Sequence, residues 1–207
     1  FLTSIKPPRQ KPDGPEPPPL PPEPTVLVQG FDVSVSDAGR FIIANVDGRA
    51  MPVTIEEYKQ ILARKLIEEA ATLDDFRKRW VTPSERREML SRLPESGRSA
   101  LLVQELQEMK DYDLYDVLGE LGYGMNPLNR GDRAAAFNYK HKQWLNSLPP
   151  ETVKAIIALT SQFALGGTDG LENPQVFQTS EVKQAGGLSA LKAGGDPAEL
   201  LKEIKER

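Results

Sequence analysis

The sequence predicts a mainly α-helical fold with a small antiparallel β-sheet near its N-terminus, preceded by a Pro-rich linker. Three observations support this prediction: the chain opens with a proline-dense segment, alternating apolar and polar residues follow it, and apolar residues then recur at helical spacing. We therefore expect a linker at residues 1–24 and a helical domain at residues 25–207, with a β-element at 25–48 and a helical body at 54–207.

The linker prediction rests on residues 6–24, which hold ten of the eighteen prolines. Proline fixes φ and removes a backbone donor, so this segment favours an extended, semi-rigid spacer over a helix or a central strand.

Three short strands are predicted next, because apolar residues alternate with polar ones between turn-forming sequences. The alternating apolar positions are Val26 and Val28, Val33 and Val35, and Phe41 and Ile43. The turns are predicted at Gln29-Gly30, Asp37-Ala38-Gly39 and Asp47-Gly48.

Helix starts are marked by capping residues. Thr54 and Glu57 fit a capping box, Thr72 can cap a second helix, and Thr82 followed by Pro83 marks a third start that should run to about Leu93. Further helices are predicted at 101–109, after Asp113, and at 130–147, 151–164, 174–184, 188–192 and 197–206. The helix at 151–164 is predicted to stop at Gly166-Gly167.

The composition limits the function classes. With no cysteine there can be no disulfide, zinc-thiolate site or cysteine nucleophile, and the net charge of −4 disfavours a generic nucleic-acid binder. No apolar run approaches the roughly 18 residues of a membrane helix, so we expect a soluble, cytoplasmic protein without membrane contact.

No complete catalytic, cofactor-binding or metal-binding motif is found. Gly119 and Gly124 have P-loop spacing, but Met125 and Asn126 replace the required Lys and Ser/Thr. Three E-x-K triplets fall in segments predicted to be helical, and the only Pro-Asp pair, Pro12-Asp13, lies in the linker, so no restriction-type nuclease site is predicted. His141, the single histidine, is expected to be an ordinary surface residue.

The acid-rich stretch DYDLYDVLGELGYG, residues 111–124, permits two interpretations. Asp111, Asp113, Asp116 and Glu120 could be metal ligands or catalytic carboxylates, or they could form the capped start and solvated face of a helix. We favour the second interpretation, because negative charge stabilises a helix N-terminus and a hard-cation site needs more converging oxygens.

Basic residues are concentrated on the predicted helices. They could contact phosphates or an acidic partner, or they could form an ordinary solvated face with the interleaved acids. The candidate contacts are Arg77, Lys78, Arg86, Arg87, Arg130 and Arg133.

The order of motifs resembles the C-terminal domain of the restriction (R, motor) subunit of type I restriction-modification enzymes. After the Pro-rich segment, the motifs are VDGRAMPVTIEEY (46–58), LDDFRKRW (73–80), ERREMLSRL (85–93), DYDLYDVLGELGYG (111–124), NRGDRAAAF (129–137), QFALGGTDGL (162–171), NPQVF (173–177) and GGLSAL (186–191).

This resemblance implies an assembly domain. It would dock an ATP-dependent DNA translocase and nuclease onto the modification (methyltransferase) and specificity subunits, and would meet duplex DNA through that complex. ATP and Mg²⁺ would belong to other domains of the parent subunit, so none is expected here. The first alternative is an accessory DNA-contacting module without an assembly role, and the second is a free-standing enzyme of unknown type.

Overall fold

The computed structural model describes residues 25–28, 31–36, 39–46 and 49–207. The predicted linker at 1–24 lies outside these residues, as do most residues of the three predicted turns. The described part is mainly α-helical with a small N-terminal antiparallel sheet, so the predicted fold class is confirmed.

The sheet is an antiparallel meander in the order β1-β2-β3-β4. The strands are β1 Thr25–Val28, β2 Phe31–Ser36, β3 Gly39–Val46 and β4 Arg49–Thr54. The three predicted strands are confirmed, and β4 is an addition that extends the sheet past residue 48. Ile42 pairs with Val33 on one side and Val53 on the other, and all three are buried.

Eleven α-helices follow within the described residues. They are α1 Ile55–Glu69, α2 Leu73–Val81, α3 Pro83–Arg92, α4 Arg98–Leu106, α5 Leu114–Tyr123, α6 Arg130–Lys140, α7 Lys142–Asn146, α8 Pro150–Glu172, α9 Ser180–Gln184, α10 Gly187–Gly194 and α11 Pro197–Glu206. Short 3-10 helices occupy Pro94–Gly97 and Pro174–Gln178.

The predicted helix starts are confirmed. The Glu57 amide donates to Thr54 Oγ1 at 3.2 Å, and the Thr54 amide donates to Glu57 Oε2 at 2.8 Å, which completes the capping box. Thr72 Oγ1 accepts from the Asp75 amide at 3.1 Å. Thr82 precedes α3, but its side chain makes no capping hydrogen bond.

Several helix boundaries differ from the prediction. The helix expected at 101–109 is α4, which begins at Arg98 and ends at Leu106, and the helix expected at 174–184 is divided into the second 3-10 helix and α9. The single helix expected at 130–147 is divided at His141 into α6 and α7. The predicted break at Gly166-Gly167 is present, since Gly167 has φ 63° and ψ −157°, but helix resumes after it and continues to Glu172.

The helices and the sheet bury two separate apolar cores rather than one. The first core unites the sheet with α1 to α5, where Phe31 meets Tyr58 edge to face and Phe76 stacks on Tyr115. The second core is formed by α6 to α11 around Ile156. The candidate site lies at the boundary between the two cores.

Candidate functional site

The first polar connection between the cores is made by Asp113, the N-cap of α5. Its carboxylate accepts from the Tyr115 amide at 3.0 Å, and across the boundary from the Thr168 amide at 2.7 Å and the Thr168 hydroxyl at 3.1 Å. Trp80 Nε1 donates to the same hydroxyl at 3.3 Å. An added Cβ at Gly167 would overlap Asp113 Oδ2. The absence of a side chain at the kink in α8 therefore leaves the space that the Asp113 carboxylate occupies.

Asp116 makes the second connection and corrects the prediction of a solvated acidic face. Its side chain is fully buried, accepts from the Leu128 amide at 2.9 Å, and is paired with Arg133 at 2.5 Å. The Arg133 guanidinium also lies 5.3 Å from the centre of the Tyr115 ring. The prediction of a capped helix start is correct for Asp113, but the prediction that Asp116 faces solvent is wrong.

Arg86, Glu172 and Lys205 form the third connection. Arg86 donates to both Glu172 oxygens at 2.9 and 2.5 Å, and Lys205 donates to Glu172 Oε1 at 2.8 Å and to the Val81 carbonyl at 2.6 Å. Burial by itself raises the pKa of the Glu172 carboxyl, but the hydrogen bonds from Arg86 and then Lys205 outweigh it, so the pKa lies below its usual value. These ionised groups join α3, α8 and α11.

A cleft of about 550 Å³ opens beside these connections, between α2 and α5 of the first core and α6, α8 and α11 of the second. Six cationic and four acidic side chains line it, an excess of two positive charges in a chain whose net charge is −4. The cations are Arg77, Lys78, Arg133, Lys140, Lys205 and Arg207, and the acids are Asp74, Asp113, Asp116 and Glu206.

The cations of the cleft differ in how they are neutralised. Lys78 is paired with Asp74 at 2.6 Å, and that contact raises the pKa of the ammonium. Arg77 donates to the neutral Tyr115 hydroxyl at 2.9 Å. Within the described part of the chain, neither Arg77 nor Lys140 has a carboxylate partner, and both are exposed. The cleft mouth therefore has positive charge available to a partner.

Family comparison identifies the chain. A family model described as EcoEI R protein C-terminal matches residues 56–207, which is most of the sequence. The chain belongs to this family. The resemblance to the C-terminal domain of a type I restriction R subunit is thereby confirmed.

A relative of this R-protein domain is the Type I restriction enzyme EcoAI endonuclease subunit from Escherichia coli. The two are 26% identical over 187 residues, which covers 88% of this chain and 22% of the relative. The chain thus spans about a fifth of the length of the curated relative that it matches. No solved structure matches it.

The structure separates the six predicted contact residues of this R-protein domain into two groups. Arg77, Lys78 and Arg133 line the cleft, and Arg87 is exposed elsewhere, on α3. The other two do not line this cleft and, like Arg133 with its partner Asp116, are engaged within the domain. Arg86 is only 5% exposed, and Arg130 donates to the Tyr112 carbonyl at 3.2 Å from a partly buried position. Whether any of the six touches a partner stays a prediction.

Sequence reasoning did not select Lys140 as a contact or Glu172 as the partner of Arg86. Lys140 is the last residue of α6 and lines the cleft because α6 packs on α8. The sequence alone does not indicate that packing. Gly166-Gly167 predicted the interruption of the helix before Thr168. The sequence could not indicate that Asp113 fills the space beside Gly167.

Two negative findings apply to the described residues of this domain. No group of three or more His, Cys, Asp or Glu side chains could hold a metal ion, and no helix is long and apolar enough to cross a bilayer. Two E-x-K triplets lie in α9 and α11 as predicted. The triplet at 108–110 lies in a turn after α4, so its helical assignment is wrong.

Proposed function

We propose that this domain is the assembly module of a type I restriction endonuclease motor subunit. It docks the ATP-dependent DNA translocase and nuclease onto the modification and specificity subunits. The family match and the relative's description as an endonuclease subunit support the parent enzyme, and the match to a fifth of that relative supports a module within it. ATP and Mg²⁺ belong to other domains in this proposal.

One observation carries the non-catalytic role. The two buried acids of the 111–124 stretch and the partly buried Glu172 are engaged in joining the two cores: Asp113 with Thr168, Asp116 with Arg133, and Glu172 with Arg86. A catalytic carboxylate must reach a proton or a metal in a substrate complex. These side chains instead hold a rigid platform, whose exposed cations remain available for a partner surface.

The direct test is deletion of residues 25–207 from the full-length R subunit, followed by sedimentation with its modification–specificity complex. We expect assembly to be lost while ATP binding by the truncated subunit is retained, because the proposal places the nucleotide elsewhere. A truncated subunit that assembles with unchanged affinity would overturn the proposal.

The excess of positive charge at the cleft supports a second candidate, a DNA-contacting accessory module. Phosphate contacts would weaken steeply with salt. The discriminating variant is charge reversal at Lys78 and Arg87 together, with duplex-DNA affinity and subunit assembly measured in parallel. Loss of DNA affinity with intact assembly favours the accessory module, and the reverse result favours the assembly role.

A further inference from the structure

We infer that the cleft between the two cores is the docking groove for an acidic segment of the modification–specificity complex, one that carries a large apolar side chain beside its carboxylates. This inference rests on the proposed function and names the surface that performs it. It follows from the shape, the charge and the wall chemistry of the cleft.

The shape favours an inserted side chain over a flat contact. A volume of about 550 Å³ lies within the range of roughly 300–1,000 Å³ that is usual for pockets enclosing a ligand. Both cores contribute walls, so an occupant would contact the two halves of the domain at once. An anchor residue in such a concave site typically carries much of an interface's binding energy.

The charge favours an acidic occupant. Asp113 and Asp116 are buried and already accept hydrogen bonds from within the domain, so they do not reach a ligand at the mouth. Asp74 is paired with Lys78, and Glu206 lies 4.0 Å from Lys202, which is outside the cleft lining. Arg77 and Lys140, on α2 and α6, are left at the mouth without a carboxylate partner among the described residues.

The walls favour a protein segment over nucleic acid. Ala134, Phe137 and Phe163 provide an apolar surface, with Phe163 only partly buried. Nucleic-acid backbones gain affinity from many successive phosphate contacts. Here the cations surround an apolar concavity that also contains acids, which suits one or two carboxylates beside an apolar anchor.

The test uses the full-length subunit and its modification–specificity complex. The variant Lys140→Glu, alone and combined with Arg77→Glu, should raise the dissociation constant of assembly by about 10- to 100-fold, because a charge-reversed contact repels the acidic segment. Lys140→Arg should bind like the wild type. The matched control reverses Arg64 and Lys154, exposed cations on α1 and α8 outside the cleft, and should change the dissociation constant less than about twofold.

Lys140→Glu keeps the test decisive if the double variant fails to fold, since the exposed Lys140 side chain makes no hydrogen bond or ion pair with another described residue. A photoreactive phenylalanine analogue at Ala134 then identifies the occupant. A crosslink to an acid-rich peptide of the modification or specificity subunit supports the inference. A crosslink to DNA, or the absence of any crosslink in the assembled complex, overturns it.

The outcomes separate the two proposals. If deletion of residues 25–207 leaves assembly intact, the proposed function fails. If deletion abolishes assembly but Lys140→Glu binds as tightly as the control, the assembly role stands and the cleft is not its surface.

Discussion

Asp113 and Thr168 lie 55 positions apart in the chain, and two hydrogen bonds join them. The carboxylate accepts from the Thr168 amide at 2.7 Å and from its hydroxyl at 3.1 Å. Both residues are buried, so the bonds are shielded from competing water. The start of α5 and the break in α8 therefore fix each other's position.

The Gly167→Ala substitution should destabilise the domain by about 3 kcal/mol. Gly167 has φ 63° and ψ −157°, a conformation that alanine adopts only with strain, and the added methyl would overlap Asp113 Oδ2. Urea unfolding measures the loss. Gly166→Ala is the control, because nothing lies within 4 Å of its added Cβ and its stability should be equal or slightly higher. Equal stability of both variants would contradict the packing at Gly167.

Adjacent arginines on α3 should respond differently to removal of their charge. Arg86→Ala leaves Glu172 without its two-point partner, and we expect a loss of about 3 kcal/mol in the free energy of unfolding. Arg87→Ala should change it by less than about 0.5 kcal/mol, because Arg87 is exposed. Denaturant midpoints of the two variants measure the difference. If neither substitution changes the free energy of unfolding, Arg86 does not link α3 to α8 in solution.

The Glu172 carboxyl should give the domain an acid-sensitive contribution to stability. Its pKa in the folded state lies below the usual 4.5, so its contribution is present above about pH 4.5 and is lost as pH falls through the folded pKa. Glu172→Gln should cost about 2 kcal/mol at pH 7, and its difference from the wild type should shrink toward pH 3. Unfolding curves across this range measure the effect. Glu56→Gln, on the exposed side of α1, is the control, and a pH-independent deficit in Glu172→Gln would contradict the assignment.

The capping threonines offer a local comparison. Thr54→Ala removes the side-chain acceptor of the Glu57 amide and should cost about 1 kcal/mol. Thr82→Ala should cost less, because Thr82 makes no capping hydrogen bond and Pro83 already sets the first turn of α3. Thermal unfolding of the two variants tests this order. A larger loss of stability for Thr82→Ala would contradict our account of how α1 and α3 begin.

Local sequence signals predicted the elements well where the interactions that form them are local. The capping box at Thr54 and the cap at Thr72 use atoms three residues apart, so the sequence contains both partners. β4 was not predicted, because Pro52 cannot donate a ladder hydrogen bond and disfavours a strand. Pro52 is tolerated in β4 because β4 lies at the edge of the sheet.

The candidate site was harder to predict, because its partners come from distant segments. On a helical wheel Asp116 lies away from Leu114, Leu118 and Leu121, which indicates a solvated position. The structure instead brings Arg133 of α6 and the Leu128 amide against the Asp116 carboxylate, where they replace water. Arg86 was predicted to be a surface contact for the same reason: its partner Glu172 is 86 positions away.

Each apolar core contains one of the two tryptophans: Trp80 is buried in the first, and Trp144 packs against the second. Because the connections between the cores are hydrogen bonds and ion pairs, acid and salt should weaken their coupling more than either interior. Single-tryptophan forms of the chain would therefore act as fluorescence reporters, with Trp144 reporting on the second core and Trp80 on the first core and its hydrogen bond to Thr168. Emission from one half could be followed while the other remains native, which would reveal whether the halves melt together.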